Sequence, residues 1–202
     1  LMPMLYRLWT KVRKSTIQEW DKGWSGHWDA AVKGSSALRA GLLSVFADEI
    51  ATYSGLQIAR MLWDMEKFYD NIDMLKLTEQ AIEVEYSIMI FTLGLQMHLA
   101  PRAFKAYECN TYANLPTNGI IAGCVQSNYF ARVMLFTIMQ RLWELRTGPT
   151  NTHIRTFVDD IRHSGAGEPD EVLIAITHKA DQLYSDLTDA MCVVSPKTPL
   201  LA

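Results

Sequence analysis

Hydrophobic and polar positions change period along the chain. In "MLYRLWTKV", Leu5, Leu8, Trp9 and Val12 recur at the spacing of one helical face, with Arg7, Lys11, Arg13 and Lys14 mostly off it. Trp20, Trp24 and Trp28 are also four apart, but Gly23 and Gly26 oppose a continuous helix there. These tryptophans read as core residues rather than as a base-stacking platform. "GSSALRAGLLSVFADEIATYSG" offers Ser35 or Ser36 as an N-cap. A stripe of Leu38, Leu42, Val45, Phe46 and Ile50 then predicts a helix.

After residue 56 the pattern alternates between strand and helix. "GLQIARMLWD" is a short apolar run that predicts a central strand ending at Asp64. "NIDMLKLTEQAIEVEY" and "SIMIFTLGLQMHL" predict helices, and "RAFKAYECNTYANL" predicts a hairpin. "SNYFARVMLFTIMQRLWEL" is apolar nearly all round and predicts a buried helix. "THIRTFV" and "IRHS" predict two strands that meet at Asp159 and Asp160. "EPDEVLIAITHKADQLYSDLTDAM" predicts a helix whose opening acids suit its N-terminus, and "CVVS" a last strand. The order predicts an α+β fold, an antiparallel sheet with helices on one face.

The chain has 202 residues, 49% of them hydrophobic, which is enough for one sizeable core or a core with a smaller satellite. Charged residues make up 20%, which argues against wholesale disorder. Charge is uneven: residues 1–40 carry seven Lys/Arg against three acids, and the remainder twelve against nineteen. A basic head of this kind suits a polyanion or an ordinary solvated face. The three cysteines lack zinc-ligand spacing and are odd in number, so a reducing, intracellular compartment, nucleus or cytoplasm, is expected. No apolar run is long enough to span a membrane, and no membrane partner is expected. The chain opens in mid-pattern and stops just after a candidate strand, which reads as a piece of a longer protein.

Asp159 and Asp160 are the chemical question. With twelve Asp in the chain an adjacent pair is ordinary, but this one lies between two strand-like segments. Carboxylates held that close repel each other unless a cation is present. Magnesium meets the need, because it takes oxygen ligands from one or two carboxylates and from substrate phosphates. A third acid must come from elsewhere, and Asp64, at the end of the other predicted strand, is the natural one.

Five stretches together carry a resemblance. "AAVKGSSALRAGLLSVFADEI" resembles a block written GFxxGxSTxDA, and "WDMEKFYDNID" resembles DLxKAFDSID. "GIIAGCVQSNYF" resembles GxxQGxPLSPxLF, "TFVDDI" resembles YADD, and "VVSPKT" places a lysine after a short strand. In this order they resemble the reverse transcriptase (RNA-directed DNA polymerase) of non-LTR, LINE-like retrotransposons. The resemblance implies a polymerase palm with a ferredoxin/RRM-like antiparallel sheet over residues 57–202. It implies an incomplete, mainly helical fingers portion over residues 1–56, and no thumb.

The same resemblance implies roles. Asp64, Asp159 and Asp160 would be catalytic and would hold two magnesium ions, or manganese in their place. Tyr69 would gate the sugar and reject a 2′-hydroxyl, which argues against an RNA-templated RNA polymerase. Gly119 and Gly123 would let backbone approach the nucleotide and template. Ser127 would match the serine of the third motif, and Lys197 would approach the triphosphate. Arg102 and Lys105 are candidates for the nucleic-acid backbone by composition. The implied partners are an RNA template, a DNA primer and deoxynucleoside triphosphates. Ala122 replaces the motif glutamine, Val125 and Asn128 replace its prolines, and Phe157 and Val158 replace Tyr and Ala of YADD. Two alternatives stand beside this reading. One is a degenerate palm without activity. The other is a helical interaction protein, in which the regions of Asp64 and Asp159 would be helical or far apart.

Overall fold

The computed structural model of the chain describes residues 4–103, 105–145, 151–198 and 200–201. In chain order the elements are α1 (Met4–Val12), α2 (Lys14–Gly23), α3 (Ala37–Tyr53), β1 (Gln57–Trp63), α4 (Phe68–Asn71), α5 (Met74–Glu83), α6 (Ile88–His98), β2 (Lys105–Ala106), β3 (Cys109–Asn110), α7 (Ser127–Glu144), β4 (Asn151–Phe157), β5 (Asp160–Gly167), α8 (Pro169–Asp189) and β6 (Leu200–Leu201). The fold is α+β. Phe104 of the expected hairpin lies outside the described residues. No described helix is long and apolar enough to cross a membrane.

The chain packs as two compact units that interleave along the sequence. One holds residues 1–24 and 67–134, the other residues 25–66 and 135–202. The expected fingers and palm portions, 1–56 and 57–202, are contiguous stretches defined by role, whereas these units are defined by packing.

The second unit is built on an antiparallel sheet in the order β4-β5-β1-β6. Alternation along β1 sends Ala59 to one face, where it packs with Val172 and Ile176 of α8. Arg60, the next residue, points the other way and forms an ion pair with Asp48 of α3. Helices therefore cover both faces of the sheet, which corrects the expectation of one covered face. The reason lies in α3. Its Ser44 and Ala51 are buried, so a small-residue side settles on the sheet. The stripe that predicted the helix points outward instead: Leu38 is 74% exposed and Ile50 68%. Ser36 caps α3, accepting a hydrogen bond from the Arg39 N–H at 3.2 Å.

Two further expectations are corrected. "CVVS" is not a strand; Val194 makes an isolated bridge to Met65, and the last strand is β6, pairing with Arg60 and Met61. Pro196, which has no N–H to donate, follows directly and stops the ladder from continuing. In the first unit, α1 buries Tyr6 and Thr10, while Leu5, Leu8 and Val12 are exposed. The Tyr6 hydroxyl donates to Gln126 Oε1 at 2.8 Å, and this buried pair orients the helix.

Elsewhere the first unit follows the apolar pattern. Met74, Leu77 and Ala81 of α5 are buried, as are Ile90, Phe91 and His98 of α6. The rings of Tyr86, Phe91, Phe130 and His98 meet edge to face. In α7, Phe130, Ala131, Val133 and Met134 are buried in the first unit, and Leu135, Ile138, Met139 and Leu142 in the second.

Candidate functional site

The three aspartates lie at neighbouring strand ends in the second unit. β1 and β5 pair with Gln57 opposite Gly167 at one end and Trp63 opposite Ile161 at the other. One step beyond that last pair stand Asp64 and Asp160. β4 and β5 form a hairpin closed by Phe157 opposite Asp160, so Val158 and Asp159 are its two turn residues. The turn is tight enough to force Val158 to a φ of +61°, a left-handed conformation unusual for a β-branched side chain. These regions are strand ends held by one ladder, contrary to the helical interaction alternative.

Electrostatics couple the three groups. Burial raises the pKa of the Asp159 carboxyl above the ordinary carboxylate value, and repulsion by Asp160 and Asp64 raises it further. Asp64 and Asp160 are exposed, and Asp159 is half-buried. Three repelling carboxylates form an oxygen-only donor set suited to a hard divalent cation. Among the described residues, no group of three or more His, Cys, Asp or Glu side chains is gathered closely enough to hold a metal ion. The donor types suit such an ion, and the three side chains are not gathered around one point.

Lys197 comes to the same corner through a segment whose structural role was not visible in the sequence. The Ser195 N–H donates to the Asp64 carbonyl at 2.7 Å, and the Asp64 N–H donates to the Thr198 hydroxyl at 3.4 Å. Ser195 Oγ in turn accepts from the Lys197 N–H at 3.2 Å. The segment 194–198 is thus stapled to the end of β1, with Lys197 exposed.

The other candidate residues form a second cluster, in the first unit. The Ile120 N–H donates to the Tyr69 carbonyl at 2.7 Å, and the Gly119 N–H to the Ile72 carbonyl at 2.9 Å. Gly119 has a φ of +81°, and a Cβ there would lie 2.5 Å from the Asp70 carbonyl oxygen, so this position admits only glycine. Gly123, with a φ of +79°, has open space around it. Tyr69 is half-buried and its hydroxyl donates to Asn128 Oδ1 at 3.2 Å. Ser127 is fully buried, and its hydroxyl donates to the Cys124 carbonyl at 2.6 Å, closing the loop onto the start of α7.

His98 holds the same loop and was missed as a functional residue. Its Nδ1 accepts from the Ile121 N–H at 2.9 Å, and burial, aided by Arg102, lowers its pKa to about 4. A lone histidine in an apolar helix gives no signal for such a role. Arg102 donates to the His98 carbonyl at 2.6 Å, at the C-terminus of α6, so its guanidinium is engaged within the chain. Lys105 lies in β2. The three cysteines are free.

No protein-family model matches the chain, and no curated protein matches it by sequence. Solved structures of telomerase do match it in fold. Telomerase from Candida tropicalis in complex with a TWJ fragment of telomeric RNA aligns with a TM-score of 0.65 at 14% identity, over 99% of this chain and 34% of that one. Apo telomerase from Candida tropicalis gives 0.65 at 14% identity, over 95% and 36%. Telomerase from Candida albicans in complex with a TWJ fragment of telomeric RNA gives 0.52 at 16% identity, over 96% and 32%. The chain thus spans about a third of each of these telomerase chains and shares their fold over nearly all its own length.

Proposed function

We propose that this chain is part of a template-directed nucleotidyltransferase of the reverse-transcriptase class. The observation that carries the reading is the placement of Asp64, Asp159 and Asp160 at adjoining strand ends, with the Lys197 segment hydrogen-bonded to Asp64. The shared fold with telomerase, a reverse-transcriptase-related enzyme, supports the class. The motif resemblance supports the finer assignment: RNA-directed DNA synthesis by a non-LTR retrotransposon enzyme, acting within the cell, in nucleus or cytoplasm. On this reading residues 1–56 belong to the fingers and 57–202 form the palm. The partners are an RNA template, a DNA primer and deoxynucleoside triphosphates.

Asp64, Asp159 and Asp160 would hold two divalent ions, magnesium or manganese, which when bound neutralise the triphosphate and lower the pKa of the primer 3′-hydroxyl. The residues of the chain do the positioning. Ser195 and Thr198 fix the backbone of Asp64 from both sides, so its carboxylate has a defined origin. Lys197, exposed at the same corner, would bring a positive charge to the leaving phosphates. Tyr69, tethered by Asn128, presents a ring that excludes a 2′-hydroxyl. Gly119 and Gly123 shape a loop that a nucleotide base and template can approach closely, with Ser127 and His98 keeping it closed onto α7 and α6.

The test is extension of a DNA primer on an RNA template with deoxynucleotides and magnesium. Extension should fall more than about 100-fold in Asp159→Asn, beyond what loss of a ligand's supporting partner costs. Extension that survives Asp159→Asn unchanged would sink the assignment of the site. Equal use of ribonucleotides would sink the role of Tyr69. A folded chain that extends nothing favours the second reading, a palm without activity, which the Ala122, Val125 and Asn128 replacements support.

A further inference from the structure

The face of the sheet under α3 carries a charge arrangement that the aspartate site does not use. Arg155 and Arg162 stand directly opposite each other across β4 and β5. Like charges in that position destabilise a strand pair. Arg60, on the neighbouring strand, adds a third guanidinium to the face. It is matched by Asp48, and among the described residues the other two have no carboxylate partner. Burial, with repulsion from Arg60 and Arg155, pulls Arg162 down to about 10, so it is still charged at neutral pH.

Beside this pair lies a cavity of about 350 Å³, walled by Arg155, Arg162, His153 and Ser164 on the sheet side and by α3 with Ser44 and Asp48 on the other. Asp48 is the one carboxylate among its lining residues, and it is spent on Arg60. Three buried polar atoms at this face have no hydrogen-bond partner: Ser44 Oγ, Arg60 Nε and Arg162 Nε. Ser44 is only 4% exposed, so water does not serve it freely. Leu43, Ile50, Leu56 and Ile58 give the cavity an apolar stretch of wall.

We propose that this cavity is an anion site that takes a phosphoryl group, held by the guanidiniums of Arg155 and Arg162 and by the hydroxyl of Ser44. A guanidinium pair offers parallel N–H donors that match phosphate oxygens two at a time. One phosphate would cancel the opposed charges, fill the empty donor positions and leave its organic part against the apolar wall. The phosphoryl group comes either from a free phosphomonoester of mononucleotide size or from the phosphodiester of a nucleic-acid strand. The site stands apart from the reading of Asp64, Asp159 and Asp160, and holds whether or not the chain extends a primer.

The experiment is calorimetric titration of the whole chain with inorganic phosphate, at ionic strength held constant with sodium chloride. Phosphate should bind, and Arg155→Gln with Arg162→Gln together should weaken it at least 10-fold. Circular dichroism checks that this double variant is folded; removing opposed charges should leave it so. Asp48→Asn supplies an independent reading, because it frees Arg60 and should tighten phosphate several-fold. Competition by adenosine monophosphate assigns the site to free phosphomonoesters, and competition only by a single-stranded oligonucleotide assigns it to a strand. Phosphate that does not bind, or that binds the double variant as it binds the wild type, overturns the proposal.

Discussion

The carbonyl oxygen of Asp64 accepts a hydrogen bond from the Ser195 N–H at 2.7 Å, joining the end of β1 to a segment 131 positions later in the chain. This bond places the backbone of Lys197 beside the carboxylate corner. It also gives the chain after β5 a purpose: α8 covers the sheet and returns the chain to the end of β1.

Replacing Asp159 with Asn should stabilise the metal-free protein. The Asp159 carboxyl has its pKa raised in the folded state, by burial first and then by Asp160 and Asp64. A raised carboxyl pKa means that the folded state binds the proton more tightly than the unfolded state. Stability is then lost as pH rises through the raised value and regained as it falls. At pH 7 the neutral Asn avoids this cost, and we expect a higher urea-unfolding midpoint than for the wild type, with unchanged slope. The difference should shrink as pH is lowered toward 4. Magnesium should raise the melting temperature of the wild type and not that of the variant; equal shifts would argue against a metal role for Asp159.

Val158→Asn should also stabilise the chain. Val158 sits at a φ of +61° in the hairpin turn, where Asn is better tolerated than a β-branched residue. The expected gain is about 0.5–1 kcal/mol, measured as a shift in denaturant midpoint with unchanged slope. A loss of stability would mean that the partly buried valine side chain contributes more through packing than its backbone conformation costs.

Gly119→Ala and Gly123→Ala should separate two effects of glycine. Both positions have positive φ, so alanine is strained at each and should cost about 1 kcal/mol at Gly123. At Gly119 the new methyl also meets the backbone of Asp70, which cannot move like a side-chain tip, and the loss should exceed about 2 kcal/mol. Equal losses would remove the steric part of the argument.

His98 and His163 should make the fold acid-sensitive. Both are fully buried, and both have pKa values lowered to about 4, by burial first. Arg102 adds to the effect at His98 and Lys179 at His163. The unfolded state therefore binds more protons between about pH 4 and 6.5, so stability falls as pH drops through that window and is insensitive to these rings above it. Each ring would contribute a loss of up to about 3 kcal/mol by pH 4. Neither ring nitrogen of His163 has a hydrogen-bond partner, so His163→Leu should remove roughly half of the slope. A variant with the wild-type slope would show that His163 is not neutral in the folded state.

Much of the fold was legible because its signals are local. Apolar runs and caps located β1, α5, α6, α7, the β4–β5 hairpin and α8, since period, turn residues and helix-opening acids act within a few positions. The orientation of α1 and α3 was not legible. Tyr6 turns inward for a bond with Gln126, 120 positions away, and α3 settles on the sheet by Ser44 and Ala51, leaving its leucines outside. A helical stripe reports which residues are apolar, and only the opposing surface decides which face is covered.

The candidate site divides the same way. The sequence by itself determined the residue types: Asp64 at a strand end, Asp159 and Asp160 where a hairpin turns, and glycines where φ must be positive, because each is a short-range pattern. Tertiary structure decided the rest, since antiparallel register fixes which strand ends become neighbours and no local pattern encodes it. It set Asp64 across from Asp160 at the end of the ladder, stapled Ser195 and Thr198 onto Asp64, and opposed Arg155 to Arg162. Those relations depend on how distant segments exclude water and pair their backbones together, which is a property of the folded chain and not of any stretch of it.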